Sequence, residues 1–271
     1  MSLPLGDIVL DAQSFSRLQS FFQEASGIHL GTNKHALVAG RLRKRVNHLG
    51  LKDFAAYCDL LLEGQDDDER RQAIHLLTTH ETYFFREPAH FRLLTEKVLP
   101  SLPAPRIWSA ACSTGEETYS LAMTLDESLG NRTWTLMGSD ISEEAVAHSR
   151  RGLYRMQRLD QMPPQYLKRY CLRGTGAYAG SLLIDPALRR RVQFFTHNLL
   201  EEPRERGRFD AVFLRNVLIY FDNTQKRRIL QRVLSRLEPG GWLFVGHSES
   251  LQGLDLPLQI AGKAVYRRIA P

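Results

Sequence analysis

The stretch WSAACSTGEETYS, from Trp108 to Ser120, joins an apolar run to a turn of small residues and then to two acids that open a helical pattern. In an open parallel sheet, ligands bind beside turns of this kind, outside the carboxyl ends of the strands. Gly115 admits close approach to the backbone. Glu116 and Glu117 fall in the first helical turn, where the helix dipole favours acids, and capping alone would account for them. The turn lacks the three glycines of a dinucleotide fingerprint and the Lys–Ser/Thr of a P-loop. Its carboxylates would repel a pyrophosphate. They suit a ligand with a cationic end and no phosphate, and S-adenosylmethionine, with its sulfonium and ammonium groups, is such a ligand.

Other residues at strand ends fit the same picture. GSDIS places Asp140 25 residues beyond Gly115, near the spacing at which an acid reaches ribose hydroxyls, although an Asp there also caps helices. HNLL offers Asn198 and Leu199, an amide and an apolar side chain able to hold an adenine. FLRNVLIYFD follows the apolar AVFL with Arg215 and Asn216 and then Tyr220. Such a pair after so apolar a run is more informative than the Asp.

These residues need elements to position them. Over residues 1–90, helical spacing dominates: Phe15, Leu18, Phe21 and Phe22 form one stripe ending at Gly27. Leu37, Val38, Leu42, Val46 and Leu49 form another, stopped by Gly50, and DFAAYCDLLLEG repeats the pattern with Asp53 as N-cap. DDDERRQAIHLLTTHETYFF opens with acids at the positive end of a helix dipole. Four short helices make a small all-α domain. Residues 91–105, ending in VLPSLPAP, read as a linker helix and a Pro-rich linker. From Arg106, apolar runs (RIWSAAC, WTLMGSD, VQFFTHN, FDAVFLRN, WLFVGHSE, LQIAGKAVYRRI) alternate with amphipathic helices, which predicts an α/β domain over 106–271 with a mostly parallel sheet. LRGTGAYAGSLLI predicts a small inserted β-hairpin at about 172–190.

The composition excludes several classes. Of 271 residues, 43% are hydrophobic and 24% charged, with no apolar run of membrane-spanning length. The N-terminus MSLPLGDIVLDAQ lacks the basic and apolar regions of a signal peptide. Cys58, Cys112 and Cys171 are odd in number and widely spaced, which points to a reducing, cytoplasmic setting. No metal site is expected, since His29, His35 and His75 lack ligand spacing. The net charge of +6 is uneven: residues 1–90 hold 10 Lys and Arg against 12 Asp and Glu, and residues 91–271 hold 26 against 18. That surplus is either an ordinary solvated surface or a face for an acidic partner.

TTHETYFFRE, SAACSTGEETYS, GSDIS, FDAVFLRNVLIYF and GGWLFVGHSESL occur in that order, with the RGTG insertion between the third and fourth. Together they closely resemble the chemotaxis receptor glutamate O-methyltransferases, the CheR family, over nearly the whole chain. The resemblance implies a Rossmann-like methyltransferase domain, with an inserted β-subdomain, behind the all-α domain. It implies S-adenosylmethionine as cofactor and S-adenosylhomocysteine as product, bound by His80, Thr82, Arg86, Glu117, Asp140, Asn198, Leu199, Arg215 and Asn216. His80 stands where better-known members carry asparagine. Arg86 and Tyr220 would hold the substrate carboxylate, while Tyr83, Phe84 and Phe85 read as packing residues.

The implied partners are the cytoplasmic helices of chemoreceptors. Arg41, Lys44 and Arg45, on one face of RLRKRVNHLG, are the expected docking residues. The inserted hairpin offers an edge for a receptor C-terminal tail. A monomer is expected. A nucleic-acid substrate is disfavoured, because RNVLIYF stands where base methyltransferases carry an Asn/Asp-Pro-Pro-aromatic turn or a Pro-Cys nucleophile. A module that binds the cofactor without turnover is disfavoured by the intact Arg86, Asp140 and Tyr220.

Overall fold

A computed structural model describes residues 8–64, 66–156, 159, 161–202 and 207–269. The chain forms two compact units that divide between Thr79 and His80, not at residue 90 as expected. No helix among the described residues is long and apolar enough to cross a membrane.

The first unit contains four helices: α1 (Ala12–Ser26), α2 (His35–His48), α3 (Phe54–Glu63) and α4 (Asp67–Leu77). Asp11, Asp53 and Asp66 cap α1, α3 and α4 by accepting backbone N–H groups in the first turn. Gly27 ends α1 in the left-handed region, with φ 76°. Phe15, Leu18, Phe21 and Phe22 are buried, as the spacing predicts, against Val38, Leu42, Val46, Phe54, Tyr57 and Leu61. Leu37 departs from the expected stripe: it is 41% exposed.

The second unit opens with α5 (Pro88–Leu93), which runs on through a π-helical turn and a short 3-10 turn to Ser101. Phe84, Phe85, Phe91, Leu94, Val98 and Leu99 bury themselves in the core of this unit. Residues 91–105 are therefore no linker between units. Their prolines stiffen the approach to the first strand, and Leu102 still packs on the core.

The chain then continues β1 (Arg106–Ala110), α6 (Glu116–Leu129), β2 (Thr135–Asp140), α7 (Glu143–Arg151), β3 (Leu153–Arg155), α8 (Pro164–Tyr170), β4 (Cys171–Arg173), β5 (Ser181–Ile184) and α9 (Pro186–Arg189). It closes with β6 (Val192–Thr196), β7 (Phe209–Leu214), α10 (Asn223–Ser235), β8 (Leu237–Val245), β9 (Leu258–Gly262) and β10 (Val265–Arg268). The main sheet has the order β6-β2-β1-β7-β8-β10-β9. Its first five strands pair in parallel, and β10 and β9 add antiparallel. LQIAGKAVYRRI is thus a hairpin, not one strand. Sequence order reverses between β1 and β7, which places the ligand-binding crevice of this fold outside their carboxyl ends.

The insertion is larger than the hairpin expected at 172–190. β3 joins β4 and β5 in a three-stranded antiparallel sheet that begins at Leu153. β3 is too short, at three residues, to show period-two patterning in the sequence.

Candidate functional site

Unusual backbone marks the crevice. Among the described residues, seven non-glycine residues have positive φ, and five of them belong to the segments that build the site: Phe85, Glu87, Ala111, Ser113 and Asn216. Left-handed backbone at non-glycine residues is strained and persists where the surroundings enforce it, characteristically at functional sites.

The turn after β1 is held from several sides. Cys112 N–H donates to the Ser139 carbonyl, and Ser113 N–H donates to Asp140 Oδ2 at 2.8 Å. Asp140 Oδ1 accepts from Ser142 N–H at 3.0 Å. The Tyr154 hydroxyl donates to the Thr114 carbonyl at 2.8 Å, and Thr114 Oγ1 donates to Glu116. Gly115 has φ +96°, and a Cβ there would lie 2.6 Å from Ser149 Oγ and 2.9 Å from Tyr154 Oη. The glycine is therefore required by protein packing and by its own backbone. The space beside it is filled by Ser149 and Tyr154, not left for a ligand as its sequence position suggests.

Glu117 points back under the turn. Its Oε1 accepts from Ser109 Oγ at 2.7 Å and its Oε2 from Arg215 Nη1 at 2.8 Å. Arg215 is 1% exposed in its side chain and has four further N–H donors. Its Nη2 donates to the Arg86 carbonyl at 2.6 Å and to Glu87 Oε2 at 2.9 Å, and its Nε reaches the same oxygen at 3.3 Å. Glu87 Oε1 in turn accepts from His247 N–H at 3.0 Å. Burial pushes the Glu87 carboxyl up, but the His247 N–H and the Arg215 guanidinium together bring it below the ordinary carboxylate range.

The loops after β7 and β8 are joined by one buried acid. Glu249, 7% exposed, accepts N–H groups from Asn216, Leu218 and Gly246. That fixes the short turn Leu218–Tyr220. Tyr220 is half-buried, and no hydrogen bond ties its hydroxyl to another described residue.

The structure thus links most of the expected residues. His80 Nδ1 lies 3.3 Å from Ser113 Oγ, and Ser113 N–H donates to Asp140; a second set of bonds joins Glu117 to Arg215 and Arg215 to the Arg86 carbonyl. The loop with Asn198 and Leu199 is tied in where His197 N–H donates to the Asp140 carbonyl. Asn198 Oδ1 accepts from Leu200 N–H, and Leu199 is buried. Thr82 is also buried. The Arg86 side chain lies over the Tyr83 ring and donates to the Glu81 carbonyl at 2.8 Å, pairing with neither neighbouring acid. Phe84 and Phe85 pack as expected.

Ser109, Glu87, Glu249 and His247 were missed. Glu249 and His247 lie in the quoted GHSES, but nothing in that spacing shows that the acid collects three backbone donors. Glu87, His90 and His247 also bring potential ligand atoms within 4.8 Å of one another, a cluster that the histidine spacing did not suggest. Burial, with help from Arg215, lowers His90 to about 4.

The donor set fits S-adenosylmethionine. Two carboxylates flank the turn, the buried Asp140 and Glu117, whose side chain is 12% exposed, and the Arg215 guanidinium is already paired with acids. Nothing there forms a bare phosphate nest.

Comparison with known proteins agrees. Residues 80–266 match the family described as CheR methyltransferase, SAM binding domain, and residues 13–78 match CheR methyltransferase, all-alpha domain. The break between these matches falls where the two units divide. A chemotaxis protein methyltransferase of Escherichia coli K12 is 41% identical over 262 residues, covering 96% of this chain and 92% of that protein. The Salmonella typhimurium protein of the same name is 40% identical over 262 residues, covering 96% and 91%. Chemotaxis protein methyltransferase 2 of Pseudomonas aeruginosa is 39% identical over 260 residues, covering 94% and 92%.

Proposed function

The chain belongs to the CheR methyltransferase family, S-adenosylmethionine-dependent enzymes that methylate chemoreceptor glutamates, and we propose that its Arg86 and Tyr220 present the glutamate carboxylate in this reaction. The cofactor supplies a methyl group on a cationic sulfur. A glutamate carboxylate, with an unperturbed pKa of about 4.3, is already ionised at neutral pH, so no residue need act as a base. What the chain must do is orient the carboxylate and strip it of water. Positioning of this kind is worth roughly 7–11 kcal/mol of barrier.

The observation that carries this reading is the pair of acids, Asp140 and Glu117, at a phosphate-free turn, together with donors on Arg86 and Tyr220 that are left for a carboxylate. Glu117 and Asp140 would hold the cofactor's amino-acid end and its ribose, with Asn198 and Leu199 at the adenine. His80 and Thr82 would close over the turn, and Asn216 would be held in place by Glu249. Arg86 keeps guanidinium donors beyond its bond to Glu81, and the Tyr220 hydroxyl has an O–H to donate, so both can meet a carboxylate. Arg215 enters this scheme differently from the sequence expectation. Its guanidinium is committed to Glu117, Glu87 and the Arg86 backbone, so it would act by holding the site together.

The proposed receptor contact on α2 is narrowed by the structure. Arg41 donates to the carbonyls of Leu77 and Thr78, and Arg45 pairs with the buried Glu69, which also accepts from Tyr57. Lys44 is exposed, and it shares a helical stripe with Arg41 and the exposed Leu37. That apolar and cationic stripe suits an acidic receptor helix. For a receptor tail, the inserted sheet holds a cavity of about 490 Å³ lined by Arg151, Leu172, Arg173, Tyr178, Leu183 and Arg189, which suits a peptide with acidic and apolar side chains. Cytoplasmic receptor segments would place the enzyme in the cytoplasm.

Calorimetric titration with S-adenosylhomocysteine tests the site. Wild type is expected to bind at one per chain, and Asp140→Ala to lose most of that affinity. Equal affinity in the two proteins would remove Asp140 from the site.

A further inference from the structure

We propose that Glu87 sets the charge of the cofactor site: it neutralises the buried Arg215 and so leaves the charge of Glu117 uncompensated, which raises the affinity for the sulfonium of S-adenosylmethionine relative to the neutral sulfur of S-adenosylhomocysteine above what the site would show without Glu87. This rests on the cofactor assignment above and adds a residue to it.

Three charges are locked together. Arg215 is always ionised, is 1% exposed in its side chain, and sits between Glu87 and Glu117, whose side chains are 13% and 12% exposed. One guanidinium between two carboxylates leaves a net single negative charge. Without Glu87, the Arg215–Glu117 pair would be neutral, and a buried cation would stand beside the place where the fold receives a cationic ligand. In so dry a setting the sign of that sum matters more than it would in water.

Glu87 is built for the task. It occupies the left-handed region with φ 59°, directly before Pro88, a conformation that side chains rarely adopt. Its Oε2 faces the guanidinium twice, and its Oε1 is fixed by the His247 N–H. The other titratable groups at the carboxylate are His90, with Nδ1 at 3.4 Å, and His247, with Nε2 at 3.9 Å. The three side chains have the composition of a metal site. However, the oxygen that would ligate a metal is the one that already binds Arg215, and a divalent cation there would face a guanidinium. The geometry is that of an acid dedicated to an arginine.

The two ligands differ by one methyl group and one positive charge, so the ratio of their affinities reads the local charge. Calorimetry on wild type, Glu87→Gln and Glu87→Asp gives that ratio on each protein sample, so loss of folded protein cancels. Glu87→Gln should shift the ratio about tenfold against S-adenosylmethionine, and Glu87→Asp should leave it near the wild-type value. The double variant Glu87→Gln/Arg215→Gln removes the buried pair together while keeping Glu117, and should restore the ratio. It also serves if the single variant does not fold. An unchanged ratio in Glu87→Gln, or an unrestored one in the double variant, overturns the proposal. So does stoichiometric zinc binding to wild type that Glu87→Gln abolishes. If wild type binds neither ligand, the cofactor reading itself falls.

Discussion

Arg86 and Arg215 carry the same guanidinium and do different work. Arg215 is enclosed by acids, whereas Arg86 is half-buried, with a bond to a backbone carbonyl and donors to spare. Arg86→Ala should lower kcat/KM for receptor methylation about 10–100-fold, the value of a lost charge-assisted hydrogen bond. Tyr220→Phe should cost about tenfold by the same measure. Steady-state rates on a receptor fragment check both, and a wild-type rate in either variant would remove that residue from substrate positioning. The residue scale was the least legible in the sequence. Asp140 and Glu117 were readable because each lies where a strand meets a helix. Glu87 was visible only as a neighbour of Arg86, because its true partner stands 128 positions away. Glu249 reaches the loop after β7 across 33 positions, and no periodicity reports such a bond.

At the scale of elements, the turn between β1 and α6 depends on Gly115. Gly115→Ala combines an unfavourable φ with contacts below 3 Å to Ser149 and Tyr154. It should destabilise the second unit by roughly 1–3 kcal/mol and weaken cofactor binding, read by thermal unfolding and calorimetry. Glu249→Gln leaves one carbonyl to serve three buried N–H donors, and should cost a further 1–3 kcal/mol or so per unmet group. Unchanged melting in these variants would show that the loops are held by other means. The strands of the main sheet were legible because parallel strands buried on both faces read as continuous apolar runs. The unit boundary was not. THETYFFRE looks like the end of a helical domain, yet α4 stops at Leu77 and Phe84 and Phe85 enter the α/β core. Apolar spacing identifies residues that will be buried without saying in which core.

Across the whole molecule, charge governs both stability and partner choice. His90 is held at about 4 against an ordinary 6.5, chiefly by burial. Between those values the unfolded chain binds a proton that the folded chain does not, so stability falls as pH falls through that window. The loss approaches about 3 kcal/mol near pH 4. The lowered Glu87 carboxyl adds loss in the same direction at still lower pH. His90→Gln should flatten the dependence of unfolding free energy on pH between 6.5 and 4, and an identical slope would refute the His90 assignment. Receptor docking is tested on the other unit by Lys44→Glu, which should raise KM for the receptor several-fold without altering cofactor affinity. Arg45→Glu is the poorer probe, because it would place an acid against the buried Glu69.

The central claim is the bond that is formed. The protein, S-adenosylmethionine labelled in its methyl group and a chemoreceptor cytoplasmic fragment should together give labelled receptor. Mild alkali should then release the label as volatile methanol, the signature of a glutamyl methyl ester. Label that stays on the protein through alkali, or no transfer at all, would contradict the account.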